Sequence, residues 1–345
     1  MRDDRRRHRP GAAPAAVVAG VGGHLPPDVV TNDDLSARLD TSDDWIRART
    51  GISVRHVASP GTATSDLAVA AGRRALRSAG SPRVDAVLVA TMTPDHPSPA
   101  TAPEVATRLG LGDVAAFDLG AMCAGFVYGL GVASGLIAGR AAERVLLIGA
   151  EVMTSVVDPQ DRSVAVLFAD GAGAVVLRAG TPDEPGAVGR VVLGSDGARG
   201  ELLKISGGGS RERRSGRPPV PGGEYLRMRG REIFRQAVER MTDSSRAALE
   251  DAGWKSGDVD GLVAHQANAR ILAALGAELD IPAERQLSNI AHTGNTGAAS
   301  IPLLLAEAAG TGRLAPGHRL LLTSFGGGLA WGATTLVWPD VTPGH

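Results

Sequence analysis

The single cysteine of the chain, Cys123, is the residue best suited to nucleophilic chemistry. It lies between a short apolar run, residues 115–119, and a stretch of small and apolar residues, 124–130, that predicts a helix. At the start of a helix, unpaired backbone N–H groups and the positive end of the helix dipole favour the thiolate. An ordinary cysteine pKa is about 8.5, so we expect this setting to lower it and supply a nucleophile at neutral pH. An inert core cysteine is the alternative.

Two later segments place polar side chains in comparable settings. His265 follows an apolar run, residues 262–264, and Asn295 lies in a polar turn that precedes another apolar helical pattern. Loops that leave the edge of a sheet are where open α/β folds bind ligands. Each residue also has a structural explanation, because the histidine can satisfy a neighbour and the asparagine can serve as a turn or cap residue. Together, a thiol, an imidazole and an amide donor are the set that acyl-thioester chemistry requires.

An imperfect internal repeat relates the two halves of the chain. A helical pattern that ends in Ala-Gly occurs at 73–80 and again at 246–253. A strand pattern that begins Val-Asp occurs at 84–89 and 259–263, and an apolar strand that begins with arginine occurs at 144–149 and 319–324. Cys123 lies 23 residues before Leu146, and Asn295 lies 25 before Leu320. The two residues therefore occupy nearly equivalent loops, and a pseudo-twofold arrangement would bring them together.

Length and composition agree with a duplicated α/β enzyme. The chain has 345 residues, of which 43% are hydrophobic and 3% aromatic, so the core must be packed from Ala, Val and Leu. A net charge of −1 argues against nucleic acid as a partner. No apolar run approaches the roughly 18 residues of a membrane helix. A lone cysteine excludes an intramolecular disulfide, so we expect a reducing cytoplasm.

Four segments follow from these patterns. The arginine-rich start predicts a disordered basic tail over residues 1–15 rather than a secretion signal. Residues 16–182 form an N-terminal half with the nucleophile, and residues 183–340 form a C-terminal half with the histidine and asparagine. Within the second half, the Gly-, Arg- and Pro-rich stretch 206–223 predicts a flexible surface loop, either a lid or a solvated loop without a role.

Several motifs together resemble the β-ketoacyl-acyl-carrier-protein synthase III family of the thiolase superfamily, from about residue 17 to 338. They are TSDDWI at 41–46, RTGI at 49–52, RH at 55–56, CAGF at 123–126, FADGAGA at 168–174, HQAN at 265–268, GNT at 294–296 and FGGG at 325–328 before WG at 331–332. The resemblance implies an α/β thiolase-like fold, with two duplicated βαβ-rich halves in a layered α-β-α-β-α architecture. The glycine run at 170–174 lacks a full dinucleotide or phosphate-loop pattern, and we interpret it as permitting tight backbone packing.

The resemblance also implies a two-stage reaction without a metal or redox cofactor. Cys123 would take an acyl group from a short acyl-CoA, and His265 and Asn295 would then donate hydrogen bonds to the thioester oxygen of malonyl-acyl-carrier protein as carbon dioxide leaves. The backbone N–H groups of Cys123 and Gly327 match the oxyanion hole. Phe325 matches an aromatic residue that closes the pocket.

The same resemblance assigns the substrate arms. Trp45 and Arg162 match a pair that sandwiches the adenine of CoA, with Arg49 and Asn268 as further contacts. Without the resemblance, Trp45 would be interpreted as a core residue and Arg162 as part of a solvated ion pair. Arg235 and Arg270 match the positions of the cationic residues that dock the carrier protein. Without the resemblance, both would be interpreted as helix-surface arginines with no specific role.

Two positions depart from the family pattern. Ser98 aligns where several members carry a bulky aromatic that the partner subunit supplies to the acyl pocket, so we expect room for a longer or branched primer. Met122 precedes the nucleophile where alanine is usual, and it either narrows the pocket floor or fills a gap. A pocket partly formed across an interface implies a homodimer.

Three functions stay open. The first is the condensing enzyme that starts fatty-acid synthesis, and the second is a priming synthase that supplies a starter to a polyketide pathway. The third is an acyltransferase of the same fold that moves the acyl group from Cys123 to an alcohol or amine. Decarboxylative condensation needs two donors, so the presence of Asn295 beside His265 favours condensation. Retention of Cys123 argues against a non-catalytic subunit.

Overall fold

The computed structural model of the chain describes residues 13–344. Within this range the strands are β1 (Ala15–His24), β2 (Asp28–Thr31), β3 (Val54–Val57), β4 (Ala86–Ala90), β5 (Ala115–Leu119), β6 (Arg144–Val152), β7 (Asp170–Gly180), β8 (Val192–Ser195), β9 (Leu203–Ile205), β10 (Leu226–Met228), β11 (Gly261–Ala264), β12 (Arg319–Gly326) and β13 (Ala330–Val337). The α-helices are α1 (Asn32–Ser36), α2 (Asp43–Thr50), α3 (Thr64–Ser78), α4 (Thr101–Arg108), α5 (Gly125–Ala138), α6 (Arg162–Ala165), α7 (Ser210–Arg213), α8 (Gly230–Ala252), α9 (Ala269–Glu278), α10 (Ile290–Thr293) and α11 (Ser300–Gly310).

Two sheets with the same connectivity form the frame of the molecule. The first has the order β1-β7-β6-β4-β5 and the second the order β8-β13-β12-β11. In the first sheet β5, β4 and β6 pair in parallel, and β7 and β1 follow antiparallel. In the second sheet β11 and β12 pair in parallel, and β13 and β8 follow antiparallel. Leu262 makes an isolated parallel bridge to Gln286 at the place that corresponds to β5. The duplication predicted from the repeat is therefore confirmed.

Helices form three layers around these sheets. α5 and α11 are apolar, largely buried and packed between the sheets, where each meets strands of both halves. α3 and α4 cover the outer face of the first sheet, and α8 covers the outer face of the second with α9 beside it. Helices that are apolar on all sides suit a central layer, whereas α3 and α8 bury only one face. The predicted α-β-α-β-α layering is confirmed.

Close backbone contacts join the central layer to the first sheet. A Cβ atom on Gly173 of β7 would lie 2.5 Å from the backbone nitrogen of Leu303 in α11. A Cβ on Gly149 of β6 would lie 2.4 Å from the carbonyl oxygen of Ala298. Only glycine allows these approaches, so the interpretation of the 170–174 run as a packing feature is confirmed. The start of α11 is thereby held directly above the first sheet.

Two segments are predicted to lack regular structure, the N-terminal tail at 1–15 and the loop at 206–223. Residues 1–12 of the predicted tail lie outside the described residues, and β1 begins at Ala15, which pairs with Gly180. The stretch 206–223 connects β9 and β10, which pair antiparallel. It contains α7, and the Gly207 N–H donates to the Gly223 carbonyl across its base at 2.7 Å. Its flexibility stays a prediction. Among the described helices none is long and apolar enough to cross a bilayer.

Candidate active site

Cys123 lies in a single 3₁₀ turn, Met122–Ala124, between β5 and the start of α5. Met122 has φ of 48°, in the left-handed region that a methionine rarely adopts. Backbone strain of this kind is held in place by surrounding structure and is often found at functional sites. The turn aims the chain sharply from the strand into the helix and leaves Cys123 buried at the junction.

The expected lowering of the Cys123 pKa is wrong. Burial, helped by the nearby carboxyl of Glu151, raises the pKa of the thiol to about 12, against a smaller lowering from its own backbone N–H. Desolvation disfavours the charged thiolate more strongly than the helix start favours it. The resting nucleophile is therefore a thiol.

His265 follows β11 directly, and its backbone N–H donates to the Thr323 carbonyl of β12 at 2.8 Å. Its side chain is buried, and Nδ1 lies 2.7 Å from Oγ of Ser300. Burial lowers the pKa of His265 to about 4. The imidazole is therefore neutral at physiological pH, and a neutral imidazole can donate one hydrogen bond.

Asn295 is held by the wall of the first half. Its backbone N–H donates to the Leu167 carbonyl at 3.0 Å, and its carbonyl accepts from the Ala169 N–H at 2.9 Å. The side-chain Oδ1 accepts from the Gly297 N–H at 3.0 Å. A backbone donor fixes which end of the amide is oxygen, so Nδ2 is the end left for another partner. Its nearest recorded acceptor, the Ala267 carbonyl, is 3.5 Å away.

One cavity of about 560 Å³ joins these three side chains. Cys123, His265 and Asn295 all line it, with Phe325 beside them. The remaining wall is mainly apolar and comes from the 166–168 segment, the β9–β10 hairpin and α8; it includes Val166, Leu167, Phe168, Leu203, Met228, Ile233, Phe234, Ala237 and Met241. A mainly apolar chamber with few polar groups suits a flexible, largely uncharged ligand arm. Apart from Phe168, which begins the FADGAGA motif, the residues of this wall belong to no motif, and only the amphipathic face of α8 could have indicated them.

The predicted adenine-binding pair meets at the mouth. Arg162 lies over the ring of Trp45, with 5.1 Å from its guanidinium carbon to the ring centroid, and Arg49 lies 5.8 Å from the same ring. Trp45 and Arg49 line the cavity. Arg162 also donates to the backbone carbonyl of Asp40. Because Trp45 and Arg162 stack on each other, no ring fits between them until Arg162 moves.

The other predicted ligand contacts fall in different places. Asn268 lines the cavity, and its side-chain oxygen caps α9 by accepting from the Ile271 N–H at 3.0 Å. Arg270 is exposed at the mouth, 5.6 Å from the Phe234 ring centroid. Arg235 is exposed on α8 and is not among the cavity-lining residues.

The glycines after Phe325 pack against the nucleophile turn. A Cβ on Gly326 would lie 2.7 Å from the backbone nitrogen of Cys123, and one on Gly327 would lie 3.1 Å from Cε of Met122. Met122 thus fills space beside Gly327 and is not among the residues that line the cavity. Ser98 is exposed and likewise absent from the lining of its own chain.

Two buried charged residues, which the motifs alone do not explain, flank the Asn295 turn. Arg55 donates to the Val166 carbonyl from Nε and Nη2, and its Cγ would be 3.2 Å from a Cβ on Gly294. Glu151 accepts from Thr93 Oγ1 at 2.9 Å, and its Cγ would be 3.0 Å from a Cβ on Gly297. A carboxylate inside the apolar strand β6 is the one signal in the sequence that could have identified Glu151.

Comparison with known proteins agrees with this geometry. Residues 117–197 match the family model for 3-oxoacyl-[acyl-carrier-protein] synthase III, and residues 249–338 match the model for the C-terminal part of the same enzyme. The chain is 56% identical to β-ketoacyl-[acyl-carrier-protein] synthase III 3 of Streptomyces coelicolor over 331 residues, which cover 95% of this chain and 99% of that protein.

Two solved structures extend the likeness to three dimensions. The crystal structure of 3-oxoacyl-(acyl carrier protein) synthase III from Pseudomonas aeruginosa PAO1 has a TM-score of 0.89 and 50% identity, covering 95% of this chain and 100% of that one. The priming β-ketosynthase of the R1128 polyketide biosynthetic pathway has a TM-score of 0.88 and 37% identity, covering 94% and 97%. The family predicted from the motifs is confirmed: the chain belongs to the β-ketoacyl-acyl-carrier-protein synthase III family.

Proposed function

We propose that the protein catalyses the decarboxylative condensation of an acyl-CoA primer with malonyl-acyl-carrier protein, the step that initiates fatty-acid synthesis. The observation that supports this most directly is that Cys123, His265 and Asn295 line one cavity although they come from loops of both halves. The relatives described above are named as synthases of this kind. CoA and the carrier protein are substrates, and the proposed reaction uses no metal or other cofactor.

In the first half-reaction Cys123 Sγ attacks the thioester carbonyl of the acyl-CoA. The new carbon–sulfur bond replaces the bond to CoA, and the thiol proton leaves on the CoA sulfur, so atoms and charge balance. Proton transfer to the leaving group suits a nucleophile that rests as a thiol, as its raised pKa indicates. The N–H groups of Cys123 and Gly327 stabilise the tetrahedral oxyanion, a contribution of about 3 kcal/mol per donor.

In the second half-reaction the malonyl thioester loses carbon dioxide, and its electron pair forms an enolate. His265 and Asn295 donate hydrogen bonds to the enolate oxygen. Both are neutral donors, so they stabilise the developing charge without bringing a full opposite charge into an apolar site. The carbanion attacks the acyl-Cys123 carbonyl, the carbon–sulfur bond breaks, and Cys123 takes up one proton from solvent.

The arms of the two substrates lie along the cavity. Trp45, Arg49, Arg162 and Asn268 hold the CoA nucleotide and pantetheine, and Phe325 closes the acyl end. The acidic carrier protein docks on Arg270 and Arg235. A homodimer completes the acyl pocket, with Ser98 facing the pocket of the partner subunit. The cytoplasm suits this chemistry because Cys123 must stay reduced.

A second candidate is the supply of an unusual starter unit to a polyketide pathway. It is supported by the likeness to the R1128 priming ketosynthase and by the small Ser98 where a bulky aromatic is common. The two functions share their chemistry and differ in the primer, so the choice of primer separates them. An acyltransferase acting on an alcohol or amine is disfavoured because it needs no second donor.

Intact-protein mass spectrometry tests the proposal. The protein is incubated with acetyl-, butyryl-, isobutyryl- or hexanoyl-CoA and then with malonyl-acyl-carrier protein, and Cys123→Ala serves as the control. We expect an acyl adduct on the wild type alone, discharged as β-ketoacyl-carrier protein. If acetyl-CoA were the sole good primer, the expectation from Ser98 of a pocket for longer or branched primers would be wrong. An adduct that malonyl-carrier protein does not discharge would contradict the condensing function.

A further inference from the structure

Ser300, the first residue of α11, contacts the imidazole of His265 from the side opposite its free nitrogen. The serine is 2% exposed, and its Oγ lies 2.7 Å from Nδ1 of His265. The same oxygen lies 3.3 Å from the backbone nitrogen of Gln266. The hydroxyl thus has two recorded partners, and their chemistry decides where the histidine carries its hydrogen.

The Gln266 N–H is a donor, so Ser300 Oγ acts as an acceptor toward it. The single hydroxyl hydrogen must then go to an acceptor, and among the described residues His265 Nδ1 is the only one recorded within reach. If Nδ1 carried a hydrogen of its own, it would donate to Oγ, and the serine hydrogen would be left without an acceptor in a buried site. Unsatisfied buried donors are costly and rare. Nδ1 is therefore the acceptor, and the ring hydrogen is on Nε2.

We propose that Ser300 is a positioning residue that fixes the Nε2–H tautomer of His265, and so supplies the hydrogen that His265 donates to the malonyl thioester oxygen. The inference rests on the proposed condensing function. Ser300 itself touches neither substrate nor reacting atoms; it acts through the imidazole.

The position of Ser300 in the chain links it to the other donor. Gly297, three residues before it, orients the Asn295 amide through the bond from its N–H to Oδ1. One short segment, residues 295–300, therefore sets the orientation of one donor and the tautomer of the other. Decarboxylation depends on both donors, whereas acylation of Cys123 depends on neither, so loss of the Ser300 hydroxyl should slow only the second half-reaction.

The tautomer itself can be measured on the free enzyme. Nitrogen-15 NMR of histidine-labelled protein near pH 7 distinguishes a protonated ring nitrogen from an unprotonated one, and His265→Gln identifies the signals among the eight histidines. We expect Nε2 of His265 to be protonated and Nδ1 to be unprotonated. A hydrogen on Nδ1 in the wild type would overturn the inference without bearing on whether the enzyme condenses.

Kinetics of the two half-reactions complete the test with three variants. Ser300→Ala removes the hydroxyl and Ser300→Thr keeps it. Ser245→Ala removes a fully buried serine hydroxyl that has no hydrogen-bond partner among the described residues. We expect Ser300→Ala to slow decarboxylation by roughly 10-fold to 100-fold, somewhat less than full loss of one oxyanion donor. Its acylation rate should stay within about threefold, because the Ser300 hydroxyl hydrogen-bonds only His265 and Gln266 among the described residues.

The controls separate positioning from general damage. Ser300→Thr should recover most of the decarboxylation rate, and Ser245→Ala should change neither half-reaction. Equal losses in both half-reactions of Ser300→Ala, or no loss in either, would overturn the inference. If the wild type forms an acyl-enzyme but never condenses, the proposed function fails, and the NMR result stands by itself.

Discussion

At the scale of single residues, burial decides the protonation states of the site. It raises the pKa of Cys123 to about 12 and lowers that of His265 to about 4, so both side chains are uncharged at neutral pH. Burial also raises the pKa of Glu151 to about 7, against the lowering effect of its hydrogen bonds. Glu151 is thus the group of the three whose charge changes near physiological pH.

The charge of Glu151 should control the reactivity of Cys123. Above about pH 7 the carboxyl becomes charged and opposes the thiolate, whereas below that pH it is neutral and has little effect. We expect Glu151→Gln to speed alkylation of Cys123 by iodoacetamide at pH 8.5 by roughly two- to tenfold. At pH 6 the variant and the wild type should react alike. Alkylation rates measured at both pH values test this.

Glu143→Gln is the matched control, because Glu143 is exposed and lies before the opposite end of β6. It should leave alkylation unchanged at either pH. An equal acceleration by Glu151→Gln at pH 6 and pH 8.5 would show that the variant loosens the site, and the electrostatic account would then be wrong.

At the scale of elements, the end of β12 supports the nucleophile turn. Gly326 packs against the backbone of Cys123 and Ala124, with distances of 2.7 and 3.0 Å from the position of a Cβ to the two backbone nitrogens. Backbone atoms cannot yield as a flexible side chain can, so this contact fixes the height of the turn above the strand. The FGGG motif therefore has a packing reason independent of any oxyanion contact.

Gly326→Ala should displace the Cys123 turn and reduce acylation by at least about 10²-fold, because small misplacements of reacting groups are expensive. Gly257→Ala is the control, since within residues 13–344 a Cβ there meets nothing within 4 Å. It should alter stability by less than about 0.5 kcal/mol and leave acylation unchanged. Acylation rates together with thermal melts provide the measurement. If Gly326→Ala were acylated at the wild-type rate, the Cys123 turn could accommodate a Cβ at position 326, and the proposed packing role of Gly326 would be wrong.

The stack of Trp45 on Arg162 is the second element-scale feature with a functional consequence. It joins α2 to the start of α6 across the mouth of the cavity and must open to admit a base. Trp45→Ala should raise KM for acyl-CoA by roughly tenfold, as expected for loss of one stacked contact of 1–3 kcal/mol. Acylation by an N-acetylcysteamine thioester, which has no nucleotide, should not change.

Steady-state acylation kinetics with both thioesters would check this assignment. If Trp45→Ala lost acylation efficiency equally with both thioesters, the role of Trp45 would be structural rather than in nucleotide binding. Phe234→Ala serves as a contrast: Phe234 lines the cavity that both thioesters enter, so its loss should affect both substrates.

At the scale of the whole molecule, the sequence predicts the architecture well because the fold is duplicated. Helix-end glycines and strand starts recur at nearly equal separations, and the two sheets share their connectivity. The same spacing places Cys123 and Asn295 in equivalent loops. Ser300, Arg55 and Glu151 could not be assigned roles in this way, because their partners are 35, 111 and about 60 residues away in the chain. The thiol pKa could not be predicted either, since it depends on burial.

The exposed edge of the first sheet suits the proposed homodimer. β5 is the end strand, and the Ala115 N–H and Leu119 carbonyl bond inward to the β4 side. By alternation, the Ala116 N–H faces the free edge, where a second copy can pair with it. Ala116→Pro removes that donor while sparing the bonds to β4.

We expect the wild type to have the mass of two 35.3 kDa chains by light scattering coupled to size exclusion. Ala116→Pro should shift the equilibrium toward the monomer and lower the condensation rate, whereas Ala116→Thr, which keeps the N–H, should remain dimeric. A monomeric wild type that condenses at full rate would contradict the proposed dimer and the role of Ser98 in the partner's pocket.

The central claim is that Cys123 carries the acyl group, whereas His265 and Asn295 serve only the decarboxylation step. A single-turnover experiment on Asn295→Asp tests it most directly. Aspartate keeps an oxygen for the Gly297 N–H but has no N–H to donate. The acyl-enzyme is isolated, mixed with malonyl-carrier protein and quenched at short times. We predict acylation within about threefold of the wild type and decarboxylation slower by about 10²- to 10³-fold. Decarboxylation at the wild-type rate, or loss of acylation in parallel, would contradict the account.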